Sequence, residues 1–187
     1  MPHIKVKPGL PGITGLLEFR LDTAGPIREL TQILLRGNST LSEADRELIA
    51  TYVSFLNECV FCTTAHAATA AHLMGSTEAV DAIRWNPEQA PVSDKLKALL
   101  KIAGKVQQNG SMVHTEDIEQ ARMQGATDLE IHDTVLIAAL FCMYNRYVDG
   151  LASFTPQDPA FYATLAKRLS ENGYQRPPKG YIPYTGE

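Results

Sequence analysis

The chain is expected to fold as an all-α domain, and three observations carry that expectation. Apolar residues recur at helical spacing along most of its length. Ser42 with Asp45, and Thr127 with Glu130, form N-terminal capping pairs ahead of such stripes, and glycine or proline punctuates the chain between them. A degenerate internal two-fold helical repeat adds a second level of order. Asp128, Glu130 and Cys142 stand 83 residues after Asp45, Glu47 and Cys59, so Glu-x11-Cys occurs twice, with Asn145 and Asp149 in the places of Cys62 and His66.

Taken in order, residues 1–25 carry Pro2, Pro8 and Pro11 among Leu10, Ile13, Leu16, Leu17 and Phe19, and read as an apolar arm without regular structure, packed on its own body or on a neighbouring subunit. Pro26 suits the first turn of a helix over 27–35, stopped by Gly37-Asn38. Ser42 caps a second helix, whose Leu48, Ile49, Tyr52, Val53 and Leu56 share a face and which carries Glu47. A third runs from about residue 58 to Met74 and ends at Gly75. A short helix from Thr77 to about Arg84 leads into a proline-bearing loop at 87–93 that joins two halves of one fold. Ser93 caps a helix ending near Gly110, Thr115 opens another, and the Thr127/Glu130 box opens a long apolar helix reaching about Ser153. A last helix spans Pro159 to about Leu169. Beyond it Pro177, Pro178 and Pro183 exclude regular helix, and Tyr174, Tyr181 and Tyr184 suit docking on a surface. The expected organisation is therefore one domain over 1–187: an arm at 1–25, a helical core at 26–172 and an extended tail at 173–187.

Composition narrows the function classes. Hydrophobic residues make up 44% and charged residues 20%, an ordinary globular balance. A net charge of -4 and a pI near 5.7 leave no basic footprint for nucleic acid. The longest apolar run, 135–143, is nine residues, short of the roughly 20 that a membrane span takes. Three cysteines do not make a disulfide framework and no secretory leader opens the chain, so a cytoplasmic protein is expected.

Two of those cysteines fall in Glu58-Cys59-Val60-Phe61-Cys62-Thr63-Thr64-Ala65-His66. At about 100° per residue, Cys59, Cys62 and His66 lie at roughly 0°, 300° and 340° on a helix and share one face, whereas His72 points away. A thiol with a pKa of about 8.5 is mostly protonated at neutral pH and needs a base, a cation or a helix N-terminus to become thiolate. His66, one turn after Cys62, is placed as that base. A second thiol one turn away can attack a sulfenic acid and close a disulfide, so the pair reads as a peroxidatic and resolving couple or as a dithiol carrier.

The arrangement Glu47-x11-Cys59-x2-Cys62-x3-His66 resembles the signature of alkyl hydroperoxidase D (AhpD) in the carboxymuconolactone decarboxylase superfamily. The likeness runs over roughly residues 25–155, includes 136–141 and Asn145-Arg146, and is nearest the peroxidase-related branch. It implies an AhpD-like helical bundle and a thiol-dependent peroxidase that needs no metal, flavin or haem. Cys62 would be the peroxide-attacking thiol, Cys59 the proton donor and resolving thiol, and Glu47 and His66 relay partners. It also implies a hydroperoxide substrate, an external thioredoxin-like or lipoyl-type reductant, and a homo-oligomer: a trimer, a hexamer built from trimers, or a dimer. One departure is Phe61, which stands where AhpD carries a histidine. On a straight helix Glu47 would lie about 18 Å from Cys59, so the chain must break between them, at Asn57-Glu58. The break would put both thiols in the first turn of a new helix, where the dipole favours thiolate.

Other readings of these residues are weighed against this one. The dithiol could serve a disulfide reductase or electron carrier. Cys59, Cys62 and His66 could hold zinc in a non-catalytic or interaction protein if His114 or His132 completed the set. Decarboxylation gives a thiol pair no task. Cys142, in an apolar run, reads as inert core; His3, His114 and His132 read as structural or surface residues, and Asn145, Arg146 and Asp149 receive no catalytic role.

Overall fold

In the computed structural model, which describes residues 2–186, nine α-helices and two short 3-10 turns account for the regular structure, with no strand among the described residues. α1 (Gly12–Phe19) and α2 (Leu21–Arg36) come first. α3 (Glu43–Leu56) starts at the expected capping box: the Ser42 hydroxyl accepts the Asp45 N–H, and the Asp45 carboxylate accepts that of Ser42. Buried Arg46 ties this start to the end of α2 by donating to the carbonyls of Leu34 and Gly37 at 3.1 and 2.9 Å, which answers two orphan acceptors of a helix terminus.

The chain breaks where the site geometry requires. Glu58 adopts φ 59°, in the left-handed region that a side chain disfavours, Cys59 is extended, and α4 (Val60–Met74) begins at the next residue. The corner is held by its own polar groups. Glu58 and Cys59 donate backbone N–H groups to the carbonyls of Phe55 and Ser54, and the Asn57 side chain donates to Asn145 Oδ1 at 2.8 Å and accepts from Gln107 at 2.9 Å. α5 (Glu78–Trp85), α6 (Asp94–Gln108) and α7 (Thr115–Met123) follow, then α8 (Asp128–Gly150), opened by the reciprocal Thr127/Glu130 box, and α9 (Pro159–Asn172). α3 folds back against α4 and also packs on α6 and α8, while α9 covers α4. Leu48, Ile49, Leu99, Leu100, Ile137 and Phe141 are among the fully buried side chains of the main core; a smaller cluster of Leu16, Phe61, Val148 and Tyr162 surrounds the two thiols.

Two expectations are corrected. The opening segment is not irregular throughout: Gly12–Phe19 is helical, and α2 starts at Leu21, five residues before Pro26. Neither start carries a side-chain cap, so the usual signal was missing. Pro26 is tolerated inside α2 because the carbonyl its absent N–H leaves free belongs to exposed Asp22, within reach of water. Both termini lie on the chain's own body. Gly12 N–H donates to Phe154 O at 2.8 Å and Tyr184 N–H to Gly9 O at 2.7 Å. Gly12 has φ 54°, and a Cβ there would fall 2.1 Å from the Phe61 ring, so only glycine lets α1 close over Phe61.

Candidate active site

The corner between α3 and α4 brings together all four residues singled out from the sequence. Cys59 is the N-cap residue of α4 and Cys62 lies one turn in; their exposures are 0% and 3%, and neither is in a disulfide. Cys62 faces the Cys59 thiol. α8 supplies the polar neighbours: Asn145, itself buried and donating to Ser54 Oγ at 3.1 Å, lies beside Cys62, and Asp149, at the surface, lies beside Cys59.

The electrostatics correct the expectation of a thiolate favoured by the helix start. The neighbouring Cys59 thiol pushes the Cys62 thiol well above its ordinary pKa, burial adds to it, and the Asp149 charge acts in the same direction; only Asn145 opposes them. The dipole of a short helix start does not overcome a buried sulfur facing a second sulfur. Partial burial also pushes the Asp149 carboxyl up, with the neighbouring Cys59 offsetting part of the rise.

Glu47 forms the other half of the site. It is fully buried and accepts from three directions: His66 Nδ1 lies 2.7 Å from Oε2, an Arg36 terminal nitrogen 2.6 Å from Oε1, and the Tyr174 hydroxyl bonds the same Oε1. Burial alone would push its carboxyl up. The pairing with His66, the Arg36 charge and the Tyr174 bond outweigh that and leave the net shift downward. For Tyr174, burial first and the Glu47 charge second push the hydroxyl well above its ordinary pKa, which keeps it a donor. An ionised carboxylate only accepts, so His66 Nδ1 carries the proton of their bond and Nε2 is the ring nitrogen open to exchange. The ring is held edge-on to Phe141 at 4.5 Å between centroids and stacked at 6.1 Å on Tyr174.

A cavity of about 70 Å³ borders Cys62 and His66, walled by α1, α2, α8, α9 and the tail. His3, His72, His114 and His132 are all exposed, and among the described residues no group of three or more His, Cys, Asp or Glu side chains is arranged to hold a metal ion. Cys142 is half-buried and accepts from Asn57 Nδ2 at 3.5 Å. Sequence reasoning missed Arg36, Tyr174, Asn145 and Asp149. Arg36 and Tyr174 carried no motif; Asn145 and Asp149 had one signal, their register with Cys62 and His66 in the repeated pattern.

Comparison with known proteins follows this geometry. The carboxymuconolactone decarboxylase family matches residues 23–105, which contain the whole Glu47–His66 arrangement. An uncharacterized peroxidase-related protein from Silicibacter sp. TM1040 is 27% identical, with a TM-score of 0.74 over 82% of this chain and 78% of its own. Over residues 23–105 the chain is similar to the carboxymuconolactone decarboxylase family, and in fold it is similar to this peroxidase-related protein. The AhpD-like bundle recurs in an alkylhydroperoxidase AhpD core, an uncharacterized peroxidase-related protein from Ralstonia eutropha JMP134, at 24% identity and a TM-score of 0.75 over 84% of this chain and 81% of that one. It recurs again in a protein of unknown function from Agrobacterium tumefaciens, at 18% identity and a TM-score of 0.70 over 84% of this chain and 100% of that one. No curated protein matches the sequence. Phe61, the residue before the second cysteine, is buried beneath Gly12 and tilted against Tyr162 at 6.1 Å between ring centroids.

Because Cys59 is the largest cause of the raised Cys62 pKa, Cys59→Ala should move the midpoint of Cys62 alkylation against pH downward, read by mass spectrometry of the Cys62 peptide. A midpoint that stays put or rises would show that burial alone sets it.

Proposed function

We propose that the protein is a thiol-dependent peroxidase that reduces hydroperoxides through a Cys62 sulfenate and a Cys59-Cys62 disulfide. The observation that carries this reading is two free thiols buried one turn apart at a helix start beside a Glu47–His66 pair and a small cavity. The peroxidase-related description of the similar Silicibacter protein agrees with it.

In the first step Cys62 attacks the terminal peroxide oxygen. An S–O bond forms, the O–O bond breaks, and the alkoxide leaves as an alcohol after taking a proton. The Cys62 proton passes to His66 Nε2, where Glu47 stabilises the positive charge that develops, and from there to the departing alkoxide, which leaves His66 neutral again. A thiol held protonated at rest is a weak nucleophile, so its reaction is tied to this transfer. Cys59 then attacks the sulfenate sulfur: the S–S bond forms, the S–O bond breaks, and the hydroxyl departs as water with the Cys59 proton. Asp149, beside Cys59 and exposed, links that buried thiol to solvent for proton exchange. We read Asn145 and Asp149 as what the second copy of the Glu-x11-Cys pattern contributes in place of a second thiol site.

Both electrons come from the dithiol, so an external dithiol must restore it. The burial of both sulfurs favours a small peroxide over a protein disulfide as oxidant, and a slender lipoyl-type arm over a broad thioredoxin-like face as reductant. Three free cysteines suit a reducing compartment such as the cytoplasm. No helix among the described residues is long and apolar enough to cross a membrane.

Mass spectrometry after one equivalent of peroxide tests the chemistry. The wild type should lose two protons' mass as a Cys59-Cys62 disulfide forms, and Cys59→Ser should instead gain one oxygen at Cys62, trappable by a sulfenate reagent. Oxidation at Cys59 in preference to Cys62 would reverse the assignment, and no mass change would remove it.

We also propose a homo-oligomer, on grounds other than the termini, which cover the chain's own body. Exposed Phe19, Leu21 and Ile33 leave apolar surface on α1 and α2, and closed symmetric assemblies commonly bury such residues. Light scattering should give a trimer, a hexamer or a dimer; a mass near 20.5 kDa that is unchanged on dilution would contradict this.

A further inference from the structure

The cavity beside Cys62 carries positive charge that its neighbours do not neutralise. Arg28 of α2 and Arg168 of α9 both line it, and their guanidinium carbons lie 5.6 and 5.3 Å from the centroid of the Tyr181 ring. The Arg28 side chain is 6% exposed; one terminal nitrogen donates to Glu18 at 2.8 Å, but its Nε is buried without a hydrogen-bond partner. Glu18 is shared, since Arg176 binds both of its oxygens at 2.8 to 3.2 Å. Among the described residues no carboxylate pairs with Arg168, and the nearby Arg28 charge acts against its own. Two guanidinium groups therefore share one carboxylate, a third has none, and a buried N–H is left without an acceptor.

The geometry points to a carboxylate-binding site at Arg168 and Arg28 for a small organic acid whose apolar stem extends toward Cys62. The rest of the wall suits such a stem: Leu17, Phe61, Phe141 and Leu169 are apolar. At about 70 Å³ the inner space exceeds the 10–15 Å³ or so that a single water occupies and holds a short stem only. Thr14, Leu165, Arg168 and Tyr181 also border an outer groove of about 850 Å³ between α9 and the tail, so the Arg168–Tyr181 pair stands between the two spaces. Asp158, the only carboxylate lining that groove among the described residues, is engaged in capping α9. A carboxylate would take the Arg168 guanidinium, which has no carboxylate partner among the described residues, in fork geometry, with the Arg28 charge beside it and the stem replacing cavity solvent. Resting on the peroxidase reading, this makes the substrate class carboxylate-bearing alkyl hydroperoxides. The carboxylate binds without reacting, while the hydroperoxide end is reduced to the hydroxy acid and water by the two thiols.

Protection of Cys62 tests the site without using peroxide. The reduced full-length chain is alkylated with iodoacetamide at fixed pH in the presence of hexanoate, 1-hexanol or inorganic phosphate, and the Cys62 peptide is quantified. Hexanoate should protect saturably, at a concentration about tenfold or more below that of 1-hexanol, and phosphate should protect less than hexanoate. Arg168→Gln should abolish the preference for hexanoate while leaving 1-hexanol unchanged, and Arg168→Lys, which keeps a point charge, should retain part of it; circular dichroism checks that both variants are folded. Equal protection by hexanoate and 1-hexanol, or a preference that survives in Arg168→Gln, would overturn the site. Phosphate acting as well as hexanoate would overturn the stemmed ligand. If peroxide leaves the thiols unchanged while the hexanoate preference stands, the peroxidase reading fails and the carboxylate site survives; the converse result removes the site alone.

Discussion

A single buried carboxylate holds the site in register. Glu47 has no access to water, and its two oxygens are shared among Arg36 from α2, His66 from α4 and Tyr174 from the tail. A charge in that position is tolerable only because it is paired and fully hydrogen-bonded. The requirement runs in both directions. Arg36 is itself buried and needs the carboxylate, His66 needs it to fix which ring nitrogen faces exchange, and the tail is drawn across the body because its tyrosine completes the set. Tyr174 N–H is held in turn by the Gln32 side chain at 2.7 Å, so the tail approaches through α2.

The backbone break at Glu58 is the second constraint. It costs a left-handed residue, on the order of 1–2 kcal/mol, and it turns a distant glutamate and a thiol pair into neighbours in one site. It also lets α8 run alongside the corner and present Asn145 and Asp149 to the sulfurs. Burial beside a second sulfur then keeps Cys62 protonated, so the chemistry proposed for it depends on moving a proton rather than on a standing thiolate.

Much of the bundle could be read from the chain, because its helices announce themselves locally. Ser42, Ser93 and Thr127 are caps with their acceptors in place, and Gly75 is a left-handed stop. Stripe and cap signals failed where a helix began without them, at Gly12 and Leu21, and a proline inside α2 misdirected its start. Within the site, the thiols, His66 and Glu47 were legible because their spacing is short or matches a family signature. Arg36, Tyr174, Arg28 and Arg168 were not, since each reaches the site from a different element and its role exists only in the packed chain. The raised Cys62 pKa was hidden for the same reason: sequence conveys a helix start, but not the depth at which the sulfur lies.

The most direct test of this account is urea unfolding of the wild type and Glu47→Gln across a pH series. The folded Glu47 carboxyl has a lowered pKa, so its contribution is complete above the ordinary carboxylate range and is lost as pH falls through the folded value. At neutral pH the variant should be less stable by about 3 kcal/mol, the cost of removing the buried charge that Arg36 and His66 share and leaving Arg36 only the half-exposed Glu43 at 3.4 Å, and the gap should close on acidification as the wild-type carboxyl takes up its proton. Equal stability at neutral pH, or a gap that does not shrink in acid, would contradict the claim that the Glu47 charge holds the site together.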